Sequence, residues 1–172
     1  MDIFLQSRLI EAPYYLKNRD LPLVFLAGPV VGAPNWQVDA AARILSLDSE
    51  IYVASPRRQG VDFETADPRF EEQVLWETYH LNMAGRNGVV LFWLVKEEVH
   101  LCDRPYGQTS RFELGEWKTK HELYKAKLVV GIHPGFPGGE YIRYRLSMES
   151  PDVPLPTTLE RTCEEAVRLI KK

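Results

Sequence analysis

The stretch Gly88-Val-Val-Leu-Phe-Trp-Leu-Val95 decides the fold. It is apolar throughout, rich in β-branched and aromatic residues, and shows no alternation of polar and apolar positions. A strand of this kind is covered on both faces, the condition of an inner strand in a parallel sheet. On its amino-terminal side, Leu21 to Ala27 is a shorter apolar run closed by Gly28 and Pro29, and Ile51 to Ala54 is a second. On its carboxyl-terminal side, Leu128 to Ile132 completes a fourth. The segments between have helical spacing. Asn35 stands as a cap before Trp36, Ala40, Ile44 and Leu47, and Asp67 with Pro68 forms a cap and first-position pair before a long helix. Ser110 with Glu113 spells a capping box for a third helix, and Thr157 with Glu160 caps a last one carrying Leu159, Cys163, Ala166, Val167 and Ile170.

Strands alternating with helices predict an α/β fold: a single-domain, doubly wound, flavodoxin- or Rossmann-like parallel sheet of about five strands with helices on both faces. The fifth strand is left open, because Glu140 to Met148 reads as a strand or as a short helix. The whole of residues 1–172 is expected to be one domain, with an N-terminal arm over 1–20 and a stiff linker plus C-terminal helix over 151–172. A hydrophobic fraction of 45% with 26% charged residues suits an ordinary globular core. A net charge of −3 supplies no basic field, which argues against a nucleic-acid polymer as partner. Cys102 and Cys163 are isolated, and His80, His100, His121 and His133 lack ligand spacing, so neither a metal nor another cofactor is expected. Asp2 stands where a secretion signal wants positive charge, and charges or prolines interrupt every apolar run well short of a membrane span. The expectation is a cytoplasmic protein without membrane partners. Neither the phosphate-cradling Gly-rich motif ending in Gly-Lys-Ser/Thr nor a dinucleotide fingerprint is present.

In a doubly wound sheet the ligand site lies at the carboxyl ends of the strands. The loop after the first strand brings Gly28, Pro29 and Gly32 there, with backbone amides that a ligand could approach closely. The stripe of the second helix runs Phe70, Val74, Leu81 and Ala84, and the position completing it is Glu77. A carboxylate on a core-facing stripe must be paired or hydrogen-bonded, since burying even a neutral polar group unpaired costs roughly 2 to 7 kcal/mol. Two readings of Glu77 stand: an ion pair with Arg43, Arg57 or Arg111, or a ligand-binding carboxylate. Glu113 likewise is either half of a capping box or a nucleophile, kept ionised by the nearby helix N-terminus. Two carboxylates from separate helices meeting in one cleft are the minimum kit for glycosyl transfer with retention.

Taken in order, Phe25-Leu-Ala-Gly-Pro29, Trp36, Pro56-Arg-Arg58, Gln73-Val-Leu-Trp-Glu77, Val90-Leu-Phe-Trp93 and Thr109-Ser-Arg-Phe-Glu-Leu-Gly115 resemble the nucleoside 2-deoxyribosyltransferase family over roughly Leu23 to Gly131. The resemblance implies a five-stranded parallel sheet between helices, with Glu113 as the catalytic nucleophile that forms a covalent deoxyribosyl ester. It implies that Glu77 binds sugar hydroxyls and that Gly28, Pro29 and Trp36 line the base and sugar pocket. Ser110 and Asn87 are further substrate-binding candidates, although many members carry an aspartate where this chain has Asn87. Arg57, Arg58 and Arg111 are the candidates for a 5′-phosphate, which the related N-glycosidase branch would require. The implied partners are a small-molecule nucleoside or nucleotide and a free nucleobase, within a homo-oligomer, dimeric or larger, whose first twenty residues pack on a neighbouring subunit. The expected activity is therefore 2-deoxyribosyl transfer between nucleobases. The alternatives are an N-glycoside hydrolase of (deoxy)nucleosides or their 5′-monophosphates, and a non-catalytic nucleotide-binding module.

Overall fold

Strands that are apolar on both faces demand cover on both sides, and the architecture follows from that demand. The computed structural model describes residues 8–58 and 69–172. In chain order the strands are β1 (Leu9–Glu11), β2 (Leu23–Ala27), β3 (Tyr52–Ser55), β4 (Gly88–Leu94) and β5 (Leu128–Ile132). The helices are α1 (Trp36–Leu47), α2 (Phe70–Asn87), α3 (Gln108–Tyr124), α4 (Gly139–Glu149) and α5 (Leu159–Ile170). The five strands are all parallel, in the order β1-β3-β2-β4-β5. β4 is buried along its whole length, as its sequence requires. Its alternate residues feed two cores. Val90, Phe92 and Leu94 pack with Trp76 of α2, Leu114 and Trp117 of α3 and Leu146 of α4. Val89, Leu91 and Trp93 pack with Trp36 and Ile44 of α1 and Cys163 and Val167 of α5. The chain leaves β2 toward β3 on one side and later returns to β4 on the other, so the switch point of the sheet falls between β2 and β4.

The structure corrects several expectations. Glu140 to Met148 belongs to a helix, and the fifth strand comes from the other end of the chain, where Leu9–Glu11 pairs with β3. Three residues without a flanking turn signal are too short for periodicity to reveal. The segment after β1 packs on α2 of its own chain. Trp76 Nε1 donates to Tyr14 O at 2.7 Å, Tyr79 Oη donates to Leu16 O at 2.9 Å, and His80 Nε2 accepts from Leu16 N at 3.3 Å. On α2 the core-facing residues are Trp76, His80, Leu81, Met83 and Ala84, whereas Phe70 and Val74 are 68% and 42% exposed. The stripe read from the sequence thus splits, its second half entering the core and its first half bordering a cavity. Asn35 occupies the N-cap of α1 without a side-chain bond, and the cap of α5 is Thr158, which accepts from Arg161 N at 3.3 Å, in place of Thr157. The Asp67–Pro68 pair lies outside the described residues. Among the described residues, no helix is long and apolar enough to cross a membrane.

The bond from Trp76 to Tyr14 gives a test of the self-packed arm. Trp76→Phe removes the donor to the Tyr14 carbonyl, which solvent can reach in part, and is expected to cost about 0.5–1.5 kcal/mol. Thermal unfolding should show a Tm several degrees lower, and amide exchange should rise at residues 14–16. Unaltered exchange there would mean that the arm is held by other contacts.

Candidate active site

The loop leaving β2 is fixed by close backbone approach. Gly28 has φ 146°, and a Cβ at this position would lie 2.4 Å from Trp93 O of β4, so only glycine passes beneath the neighbouring strand. Trp36, the first residue of α1, sits under the loop and donates from Nε1 to Pro29 O at 2.9 Å. The Arg57 guanidinium donates to Val30 O at 2.6 Å, Ala33 O at 3.0 Å and Pro34 O at 3.3 Å. From the far side of the switch point, Glu98 N and Val99 N donate to Gly32 O at 2.8 and 3.1 Å. The loops after β2 and β4 are thereby tied into one wall. Opposite that wall stand α2 and the start of α3, and between them lies a cavity of about 700 Å³, in the size range of small-molecule sites.

Gly28, Pro29, Glu77, Ser110 and Glu113 all line this cavity. Trp36, Arg57, Arg58 and Asn87 do not. Trp36 and Arg57 prop the β2 loop from behind. Arg58 is only 5% exposed and donates from Nε to Gln73 Oε1 at 2.7 Å, with a longer contact to Glu72 at 3.4 Å. Asn87 closes α2 at the amino end of β4, the end of the strand away from the cavity, and donates to Arg19 O at 2.5 Å.

Glu77 is held by its own helix. Gln73 Nε2, one turn earlier, donates to Glu77 Oε1 at 2.7 Å and to Pro56 O at 2.9 Å. Burial pushes the Glu77 carboxyl above its ordinary range, opposed by the Gln73 bond and the nearby Arg58 charge. The cations expected as its ion-pair partners are engaged elsewhere: Arg43 with Glu164 at 2.7 Å, Arg57 with the loop carbonyls, and Arg111 with Pro137 O at 2.6 Å.

Glu113 does not belong to a capping box. α3 begins at Gln108 behind Gly107, whose left-handed backbone (φ 65°) makes the cap, so Ser110 is already inside the first turn and Glu113 lies in the second. The helix-end field decays within the first turn and cannot hold Glu113 ionised. Burial is the largest influence, followed by the Glu77 charge and then that of Glu116, and together they push the carboxyl up to about 8. This reverses the expectation of an ionised side chain at neutral pH. The two carboxyls form a coupled pair that retains a proton near pH 7, carried chiefly by Glu113.

Several lining residues were not singled out in the sequence. Gln73 was legible in principle, because it precedes Glu77 by four residues on the same helix. Tyr106, whose hydroxyl donates to Val95 O at 3.1 Å, and Glu97 lie in a loop where no periodicity marks them. Among the described residues, no group of three or more His, Cys, Asp or Glu side chains is arranged to hold a metal ion.

Comparison with known proteins agrees with this geometry. A family profile described as nucleoside 2-deoxyribosyltransferase like matches residues 22–136. The chain belongs to that family. No curated protein matches it. The match runs from the start of β2 past β5, so every residue of the deoxyribosyltransferase-like cavity named above falls inside it, while β1, α4 and α5 lie outside.

The raised Glu113 carboxyl has consequences for stability. The folded chain holds this proton more tightly than the unfolded chain, so stability falls as pH rises from 4.5 toward about 8. Glu113→Gln removes that loss. Denaturant unfolding should find the variant more stable than the parent at pH 8, by on the order of 2–4 kcal/mol, with the difference largely gone at pH 4.5. Glu77→Gln, which deletes the like charge, should lower the Glu113 value in a carbon-13 carboxyl titration. An unmoved titration would remove Glu77 as a cause.

Proposed function

We propose that this chain is a nucleoside 2-deoxyribosyltransferase, moving a 2-deoxyribosyl group between nucleobases through a covalent glycosyl-Glu113 intermediate. The observation that carries this reading is the convergence of Glu113 and Glu77, from separate helices, on one desolvated cavity of nucleoside size at the switch point of the sheet. In the first half-reaction a Glu113 oxygen bonds to C1′ while the C1′–N bond breaks, and the electron pair of that bond leaves with the base. The base takes up the proton that the carboxyl pair carries and departs neutral. In the second half-reaction an incoming base returns a proton to the pair as its nitrogen attacks C1′, and the ester C–O bond breaks to release Glu113. Each half-reaction conserves charge, so the single retained proton suffices without a further acid. Glu77, oriented by Gln73, accepts from the sugar hydroxyls.

The nucleotide hydrolase alternative has less support. A 5′-phosphate wants free cationic or amide donors; Arg57, Arg58 and Arg111 already donate to protein acceptors, which leaves Arg104 of the cavity lining as the cation that reading would need. The case for a non-catalytic module weakens too, because Asn87 stands away from the cavity and its identity removes no group from it.

Incubation with 2′-deoxynucleosides and a free acceptor base, followed by chromatography and mass analysis, tests this function. The expected result is a new nucleoside formed only with acceptor, and a deoxyribosyl adduct on the peptide bearing Glu113 when acceptor is omitted. Glu113→Gln should lower turnover by about 10³-fold or more while remaining folded. Free base and free sugar without exchange would instead reassign the chain to hydrolysis.

A further inference from the structure

The cavity has a third carboxylate that the chemistry above leaves unused. Glu97 follows β4 by three residues and lines the cavity at the end where the β2 and β4 loops are zipped together. Its charge acts on Tyr106, whereas the charges acting on Glu113 are those of Glu77 and Glu116, which sets Glu97 apart from the reacting pair. The cavity lining contributed by the β2 and β4 loops is mostly apolar, with Val30, Val31, Val99, Leu101 and the ring of Tyr106, and carries one cation, Arg104. The Tyr106 hydroxyl is already committed to Val95 O. Behind Glu97, His100 Nδ1 donates to both carboxylate oxygens at 3.2 and 3.3 Å, leaving each oxygen a further acceptor position.

With C1′ at Glu113 and the sugar hydroxyls at Glu77, the part of the cavity left for the base is the one lined by the β2 and β4 loops, Glu97 among them. We infer that Glu97 is the specificity-determining residue of the base subsite and selects a base presenting adjacent N–H donors, the ring N–H and exocyclic amine edge of a 2-amino-6-oxopurine. This inference rests on the nucleoside reading of the cavity. A carboxylate only accepts, so two parallel N–H bonds match it, while a base edge of carbonyl oxygens faces repulsion. A well-made bidentate contact to a base is worth about 5- to 100-fold in discrimination.

The pair 2′-deoxyguanosine and 2′-deoxyinosine isolates the effect, since the two differ only in the 2-amino group. Binding is measured by calorimetry in Glu113→Gln, which cannot form the ester, so that affinity is read apart from chemistry. The expected result is that deoxyguanosine binds about 5- to 100-fold more tightly and that adding Glu97→Ala brings the two within about threefold. Equal affinities in Glu113→Gln, or a preference that survives Glu97→Ala, would overturn the inference. Failure of either nucleoside to bind would overturn it together with the proposed function. Selective binding lost in Glu97→Ala, but with no turnover by the parent protein, would uphold the base subsite and sink the transferase reading alone.

Discussion

Removing two like carboxylates from water into one cleft is costly, and the arrangement of this molecule is best understood through how that cost is met. An isolated buried carboxylate responds by keeping its proton. Here the response is unequal. Glu77 receives the Gln73 amide and the field of Arg58, while Glu113, which has no such partner among the described residues, is pushed up to about 8 by burial and by the charges of Glu77 and Glu116. The inequality suits the proposed reaction, because a displacement at C1′ needs both an attacking oxygen and a proton for the departing base. A structural ion pair would have supplied neither. Two carboxyls raised by burial in one cavity make it the candidate site, and among the described residues no cation pairs with Glu113.

The sheet makes such a cleft possible without exposing backbone polar groups. Inner strands that are apolar on both faces draw α2, α3 and α4 to one side and α1 and α5 to the other. The cavity then lies beyond the carboxyl ends of β2 and β4. Gly28 allows the β2 loop to cross beneath Trp93, and Trp36 braces the loop from below. The β2 wall of the pocket is therefore framed by backbone hydrogen bonds, the Arg57 guanidinium and one indole.

The fold was largely legible in the sequence because the inner strands declare themselves by composition. β4 and the segments around it needed no tertiary information. What escaped was β1, three residues whose pairing with β3 depends on the rest of the sheet already being in place. The site was legible in part. Glu77 stood out as a charge on an apparently apolar stripe, yet the stripe itself was misjudged, since Phe70 and Val74 are apolar because they border a cavity and not because they enter a core. Glu113 was identified through its motif, but its protonation was misread, because spacing shows a helix start without showing how deeply the side chain is buried. Tyr106 and Glu97 were invisible for a different reason: a loop has no period, and only the folded backbone reveals which way each of its residues faces.

Arg57 and Arg58 show how a motif can serve a site without touching a ligand. They are consecutive residues after β3 and engage opposite neighbours, Arg57 the carbonyls of the β2 loop and Arg58 the Gln73 amide and Glu72. A single dipeptide thus touches both the β2 loop and α2. One wall carries the loop against which a base would lie, and the other carries the carboxylate that would meet the sugar. A lysine at either place would keep the charge but lose the planar guanidinium, whose Nη2 meets three carbonyls at Arg57 and whose Nε and Nη2 meet two side chains at Arg58. The two groups hold the β2 loop and α2 from behind, and neither residue lines the cavity.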